Sequence, residues 1–352
     1  MIYKNAVLNG RTVDIKVCDG KIEAIGNFDE SGIDLEGCRV YAGLVDIHSH
    51  GCIGFDTMDG EYLNEMSLYM AKNGTTSWLP TTMTMGIDKI KSVVNIDITD
   101  IKGANVLGFH AEGPYINEKY KGAQNAEYIK TPSIEEFNEF KNIKLVTVAP
   151  EVPGGTDFIE KCGCTVAIGH TDADYDCCCE AMDKGAACLT HTFNAMPPLH
   201  HRNPGPVGAA IEKNAYVQVI CDGTHLHKSV VMMLYRTFGS DRMVLISDSV
   251  RATGLQDGEY ELGGQMTTVK NSVARLSDGT IAGSTSTLFQ CVKKAIEFGI
   301  EPDEAFKMAS LTPSVLIGVD KGRLEVGKDA DFIAVDENID LKYSIVKGKI
   351  IE

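Results

Sequence analysis

The stretch Val45-Asp-Ile-His-Ser-His50, entered from Tyr41-Ala-Gly and followed by Gly51-Cys-Ile-Gly-Phe-Asp56, sets two histidines two residues apart at the end of a short apolar run. If Leu44–Ile47 is a strand, alternation puts His48 and His50 on one face. Two imidazoles at the mouth of a strand can grip one metal ion. Alone, the pair reads equally well as a solvated loop tip, so the rest of the chain has to decide.

Outward from this stretch, short β-rich runs alternate with helical patterns. The runs are LVDI (44–47), TTSWLPTT (75–82), NVLGFHA (105–111), KLVTVAP (144–150), CTVAIGH (164–170), ACLTHTF (187–193), AYVQVICD (215–222) and RMVLISD (242–248). Several are nearly continuous in Val, Ile, Leu and Thr, as strands covered on both faces require. Helical patterns fill the gaps, as in EYLNEMSLYMAKNG, ending at Gly74, and KSVVMMLYRTFG, ending at Gly239. Eight strands with helices between them predict an α/β chain, a (β/α)8 TIM-like barrel over residues 44–320, with a doubly wound sheet as the alternative. Residues 1–43 and 321–352 alternate instead, with tight turns at Asn9-Gly10 and Asp19-Gly20. They predict a small β-sandwich domain built from both termini.

Composition narrows the function. A 352-residue chain that is 43% hydrophobic has ample material for a large core. A net charge of −16 argues against nucleic acid and anionic membranes as partners. No apolar run approaches the roughly 20 residues of a membrane span, and the first residues do not read as a secretory signal, so the expected location is cytoplasmic. The eleven cysteines do not read as a disulfide framework. Cys177, Cys178 and Cys179 fall in a helical pattern, where neighbours diverge by about 100° and cannot converge on one ion.

The chemistry collects at strand ends: His48 and His50 after the first, Glu112 after the third, His170 after the fifth, His191 after the sixth, His225 after the seventh and Asp248 after the eighth. In a barrel these ends form one rim, where active sites sit. Each residue singly has a plain structural explanation, but six strands ending in His, Glu or Asp on one rim point to a divalent-metal centre. Zinc and iron are the leading ions, with manganese or cobalt as alternatives, one or two per subunit. Such a centre lowers the pKa of water to about 7, and Asp248 is placed to handle its proton.

This pattern resembles the amidohydrolase superfamily, whose members carry HxH after strand one, histidines after strands five and six, and an aspartate after strand eight. The closing GRLEVGKDADFIAVD is similar to the superfamily's return into its β domain. HAEGPYIN, GHTDAD, HTFNAMPPLHHRNPGPVGAA, CDGTHLH and SDSVRATGLQDGEYELGG together resemble the N-acetylglucosamine-6-phosphate deacetylase family nearly end to end. The resemblance implies that Glu112, His170 and His191 are the main metal ligands and Asp248 the catalytic acid/base. His48 and His50 imply a second ion shared through Glu112, since only some members keep this pair. It further implies that Asn194 and Ala195 grip the sugar, that Arg202 and His225 hold the 6-phosphate, and that Ile281, Ala282 and Gly283 lie near the sugar. In that family the arginine comes from a neighbouring subunit, which implies a homodimer. Ala123 and Gln124 fall where some members carry histidine; Gln124 can donate to a substrate carbonyl or hydroxyl but brings no positive charge.

Three other readings compete. A deacetylase for the galactosamine epimer would share every motif. A dihydroorotase or hydantoinase would bridge its metals with a carboxylated lysine at the end of strand four, where this chain has Ala149, Pro150 and Glu151. A non-catalytic metal or sugar-phosphate binding protein would have no need of Asp248.

Overall fold

Eight parallel strands set the frame: β1 (Leu44–Ser49), β2 (Thr75–Thr82), β3 (Phe109–Glu112), β4 (Ile143–Val148), β5 (Thr165–Ile168), β6 (Ala186–Leu189), β7 (Tyr216–Ile220) and β8 (Met243–Ile246). The computed structural model describes all 352 residues. Each strand pairs with its sequence neighbour, from β1·β2 through β7·β8. A bridge from Ser49 to Ser249, with the Asp248 N–H donating to the His48 carbonyl at 2.9 Å, closes the ring. The barrel expectation holds.

The strands read as continuous apolar runs because both faces are covered. Val45, Ile47, Leu79, Leu145, Ala167, Cys188, Ile220, Val244 and Ile246 form one interior cluster with Leu316 and Ile317 from a late helix. The opposite faces join a larger cluster of 63 buried residues shared with the helices. The pairing of β1 with β2 is irregular between Asp46 and Ser49. That irregularity resets the alternation, so His48 and His50 face the mouth of a barrel whose lower interior holds Val45 and Ile47.

The helix expected to end at Gly74 spans Leu63–Lys72, with Gly74 at φ +86°. The one ending at Gly239 continues to Arg242 only across a break, since Gly239 takes φ +64° and ψ 177°. The run 105–111 is not one strand. Gly108, at φ +134°, divides it, and a Cβ there would lie 2.6 Å from the Asn142 carbonyl oxygen. In the helix Tyr175–Asp183, Cys178 is buried while Cys177 and Cys179 diverge to either side, half-buried.

Strands within Ile2–Ala42 and Phe332–Ile350 form one sheet in which Arg39–Ala42 pairs antiparallel with Phe332–Val335. Tyr3, Ile15, Ile22, Val40, Phe332 and Ile345 share one twelve-residue cluster. Residues so spread across the sheet meet only because it folds over on itself, which makes the sandwich. A third, three-stranded sheet (Gly258–Leu262, Gln265–Lys270, Val273–Arg275) is inserted after β8 and reaches the barrel mouth.

Trp78 is the only tryptophan; it is fully buried on the outer face of β2, and its indole N–H donates to Ser67 Oγ at 3.0 Å. Ser67→Ala leaves that donor unpaired, so stability should fall by about 1–3 kcal/mol. Urea unfolding followed by Trp78 fluorescence measures this directly; metal content should be unchanged.

Candidate active site

His48 and Glu112 lie at the ends of β1 and β3, whereas three other residues at the barrel mouth stand just beyond their strands. β5 ends at Ile168, β6 at Leu189 and β8 at Ile246, each two residues short of His170, His191 and Asp248. All three take positive φ, at 48°, 26° and 48°. Non-glycine residues pay for this backbone region, and it recurs where a side chain must be aimed at a site. Gly169 permits the turn at β5: a Cβ there would meet Thr190 Cβ at 2.6 Å.

Glu112 is the hub. Its Oε1 lies 3.2 Å from His48 Nε2, 3.2 Å from His170 Nε2 and 3.0 Å from His191 Nε2. Its Oε2 lies 3.2 Å from His50 Nε2 and accepts from Gln124 Nε2 at 2.6 Å. Asp248 Oδ1 faces His48 and His50 Nε2 at 3.4 and 3.3 Å. Burial opposes ionisation of Glu112, but the His48 and His170 imidazoles outweigh it and hold its carboxyl well below the usual carboxylate range. Burial likewise opposes ionisation of Asp248, and His48 with His50 overrides it, so this carboxyl also stays ionised.

Metal ions fit this donor set. His50 Nδ1 donates to the Thr81 carbonyl at 3.2 Å and His170 Nδ1 to the Tyr120 carbonyl at 2.9 Å; His48 Nδ1 donates to Gln218 Oε1 at 3.1 Å. The two carbonyls can only accept, so they fix a proton on Nδ1 of His50 and His170 and leave Nε2 as the atom that faces the site. Two such nitrogens face each other in His48 and His50, 3.3 Å apart, and His170 Nε2 lies 3.0 Å from His191 Nε2. Lone pairs at that separation repel unless a proton or a metal ion lies between them. Without metal, burial opposes charging of His48 and His50, but Glu112 and Asp248 outweigh it and favour the protonated rings, a place that a divalent ion can take over. Two overlapping ligand triads result, His48–His50–Glu112 and Glu112–His170–His191, joined by one carboxylate.

Above them lies a cavity of about 260 Å3. His50, Glu112, His170, His191 and Asp248 line its floor; Ala123, Gln124, Asn194, Ala195, His225, Ile281 and Gly283 line its walls. Ala282 is buried behind Ile281 and Gly283, and His48 lies fully buried beneath the floor. The Gln124 oxygen accepts from the Thr84 N–H and one of its two amide N–H groups is committed to Glu112, which leaves the second N–H at the cavity wall. Arg202 does not reach this cavity in its own chain; it is exposed and borders a separate depression with Asp172, Asp174 and Asp176. His225 donates through Nδ1 to Asp222 Oδ2 at 2.8 Å. Burial disfavours its charged form, but Asp222 outweighs this and raises the imidazole above its usual range.

Fold and site together define a hydrolase of the metal-dependent amidohydrolase type. Residues 39–351 match the model of the amidohydrolase family, and the chain belongs to that family. Within it, the chain is 36% identical to N-acetylglucosamine-6-phosphate deacetylase of Vibrio furnissii, over 95% of this chain and 89% of that protein. It is 33% identical to N-acetylgalactosamine-6-phosphate deacetylase of Escherichia coli O157:H7, over 96% and 94%. The fold matches a mutant N-acetyl-D-glucosamine-6-phosphate deacetylase of Mycobacterium smegmatis in complex with N-acetyl-D-glucosamine-6-phosphate, with a TM-score of 0.94, 27% identity and coverage of 100% and 99%. No helix is long and apolar enough to cross a membrane.

Sequence reading missed the groups that orient the ligands. Gln218 interrupts the apolar run of β7, and a lone amide in a buried strand is a usable signal. The Thr81 and Tyr120 carbonyls carry no such signal. His110, fully buried, bonds Thr147 Oγ1 at 2.8 Å and packs edge-on against His48. Burial pushes it well below its usual range, making it a neutral core histidine under the site. The geometry predicts metal counts: stripped protein dialysed against zinc should retain two ions, the His48→Ala/His50→Ala double variant one, and Glu112→Ala neither at comparable affinity. Elemental analysis of the three proteins checks this.

Proposed function

We propose that the protein hydrolyses the acetamide of N-acetyl-D-glucosamine 6-phosphate to D-glucosamine 6-phosphate and acetate. The observation that carries this reading is the meeting of Glu112, His50, His170, His191 and Asp248 on the floor of one cavity, with His48 against Glu112 just beneath it. The deacetylases to which the chain is similar lend it their substrate class. A divalent ion held by these residues, zinc or iron first and manganese or cobalt as alternatives, supplies Lewis acidity toward the amide carbonyl and the attacking water.

The chain's own residues do the rest. Asp248 takes the proton of the attacking water and delivers it to the departing amine, as a group that is ionised before the step and protonated midway through it. Its backbone is fixed for this, with N–H donating to the His48 carbonyl and C=O accepting from the Ser284 N–H at 2.7 Å. Asn194 Nδ2 donates to the His191 carbonyl at 3.1 Å, which leaves Oδ1 for a sugar hydroxyl. Ala123, Ala195 and the Ile281–Gly283 segment shape the wall around the ring. His225, which Asp222 pushes toward its charged form, and Arg202 from a second copy of the chain hold the 6-phosphate; because Arg202 lies outside its own cavity, this role requires a homodimer. Eleven unpaired cysteines support a reducing, cytoplasmic setting.

A cyclic-amide hydrolase is disfavoured because Glu112 already joins the two triads, and Lys144 lies exposed near the start of β4. The galactosamine epimer remains the second substrate to test, given the Escherichia coli relative.

Acetate release should be fast on N-acetylglucosamine 6-phosphate and at least tenfold slower on the unphosphorylated sugar; equal rates would refute phosphate recognition. Asp248→Asn should retain its metal while turnover falls by about 10²–10⁴-fold or more. The pH dependence of KM tests His225, which Asp222 and Asp248 push toward the charged form and Arg275 pushes away from it. A raised imidazole keeps its charge below its own pKa and loses it as pH climbs past. KM should therefore rise on the alkaline side, and in Asp222→Asn that rise should begin at lower pH.

A further inference from the structure

We infer that Gln124 is a positioning residue for Glu112: its amide holds Oε2 toward His50 and so sets how tightly the ion between His48, His50 and Glu112 is retained. This rests on the metal reading above. Gln124 is 2% exposed, Oε1 accepts from the Thr84 N–H at 2.7 Å, and Nε2 donates to Glu112 Oε2 at 2.6 Å. The amide orientation is forced, because a backbone N–H can only donate and an ionised carboxylate can only accept. No flipped rotamer satisfies both.

The segment that carries Gln124 is itself pinned. The Gln124 N–H bonds the Lys121 carbonyl at 2.9 Å, and Gln265 Nε2, from the sheet inserted after β8, donates to the Ala123 carbonyl at 2.6 Å. Gly122 sits at φ +53° against the His170 ring, where a Cβ would come within 3.4 Å of Cε1. The donor on Glu112 thus has little freedom to move away.

The consequence follows from how Glu112 divides its oxygens. Oε1 faces His48, His170 and His191, whereas Oε2 faces His50 and Gln124. A carboxylate oxygen has two lone pairs, so Oε2 can accept from the amide and still present the other to an ion. A hydrogen bond to an ionised acceptor is roughly twice as strong as a neutral one. It holds the plane in which the carboxylate serves both triads. A neutral amide does this without adding positive charge beside a cation.

The test is zinc titration of chelator-stripped protein, with calorimetry and elemental analysis, on wild type and Gln124→Leu. Binding of the first ion, at Glu112, His170 and His191, should change little, and binding of the second should weaken by about 10–100-fold. Turnover of Gln124→Leu should recover at high zinc, with KM for N-acetylglucosamine 6-phosphate within about twofold of wild type. If circular dichroism shows that Gln124→Leu does not fold, Gln124→Met serves in its place. Unchanged affinity for both ions, or a raised KM with metal affinity intact, overturns the assignment and makes Gln124 a substrate donor. A wild type that takes up a single ion also overturns it, while leaving the Glu112–His170–His191 site standing. A wild type that takes up none refutes the metal reading itself.

Discussion

One carboxylate governs the site. Glu112 is 2% exposed, and burying an ion is costly unless it is paired. Four imidazoles and an amide surround it within 3.2 Å. They come from β1, from the turns after β5 and β6, and from the segment after β3, so the charge of one side chain ties together distant parts of the chain. Every other feature of the mouth arranges these donors: carbonyls at Thr81 and Tyr120 fix ring protons, Gln218 does so for His48, and left-handed turns aim His170 and His191.

The strands of the barrel were legible because a strand covered on both faces must be apolar throughout, and turn residues bound it. Their ends were less so. The runs CTVAIGH, ACLTHTF and RMVLISD look continuous in sequence, yet the ladder stops before the functional residue in each. Periodicity records burial, and these residues are buried in either case; it does not record the sign of φ. The break at Gly108 was hidden similarly, since Val106 and Phe109, on either side of it, both pack against the larger cluster shared with the helices. Alternation placed His48 and His50 on a shared face, but the reset between Asp46 and Ser49 that aims that face at the mouth leaves no mark in composition.

The ligand residues were found because histidines and carboxylates at strand ends are conspicuous. The groups that orient them were not, because most are backbone carbonyls that any residue supplies. Gln124 shows the remaining difficulty. Its side chain is a donor and an acceptor in any reading, and only coordinates reveal that its oxygen and one of its two N–H groups are already used within the protein. Arg202 shows the converse: its residue type suits phosphate, but its place on the surface means that a single copy of the chain does not bring it to the cavity.

The terminal sheet has a consequence for synthesis. Arg39–Ala42 pairs with Phe332–Val335, about 290 residues downstream. At ribosomal rates of about 5–20 residues per second, roughly 15–60 s pass before that partner emerges. Meanwhile the nascent amino-terminal strands expose an open edge, which other chains can capture. All eight barrel strands precede Phe332, so the partner that covers this edge leaves the ribosome only after the whole ring has been made.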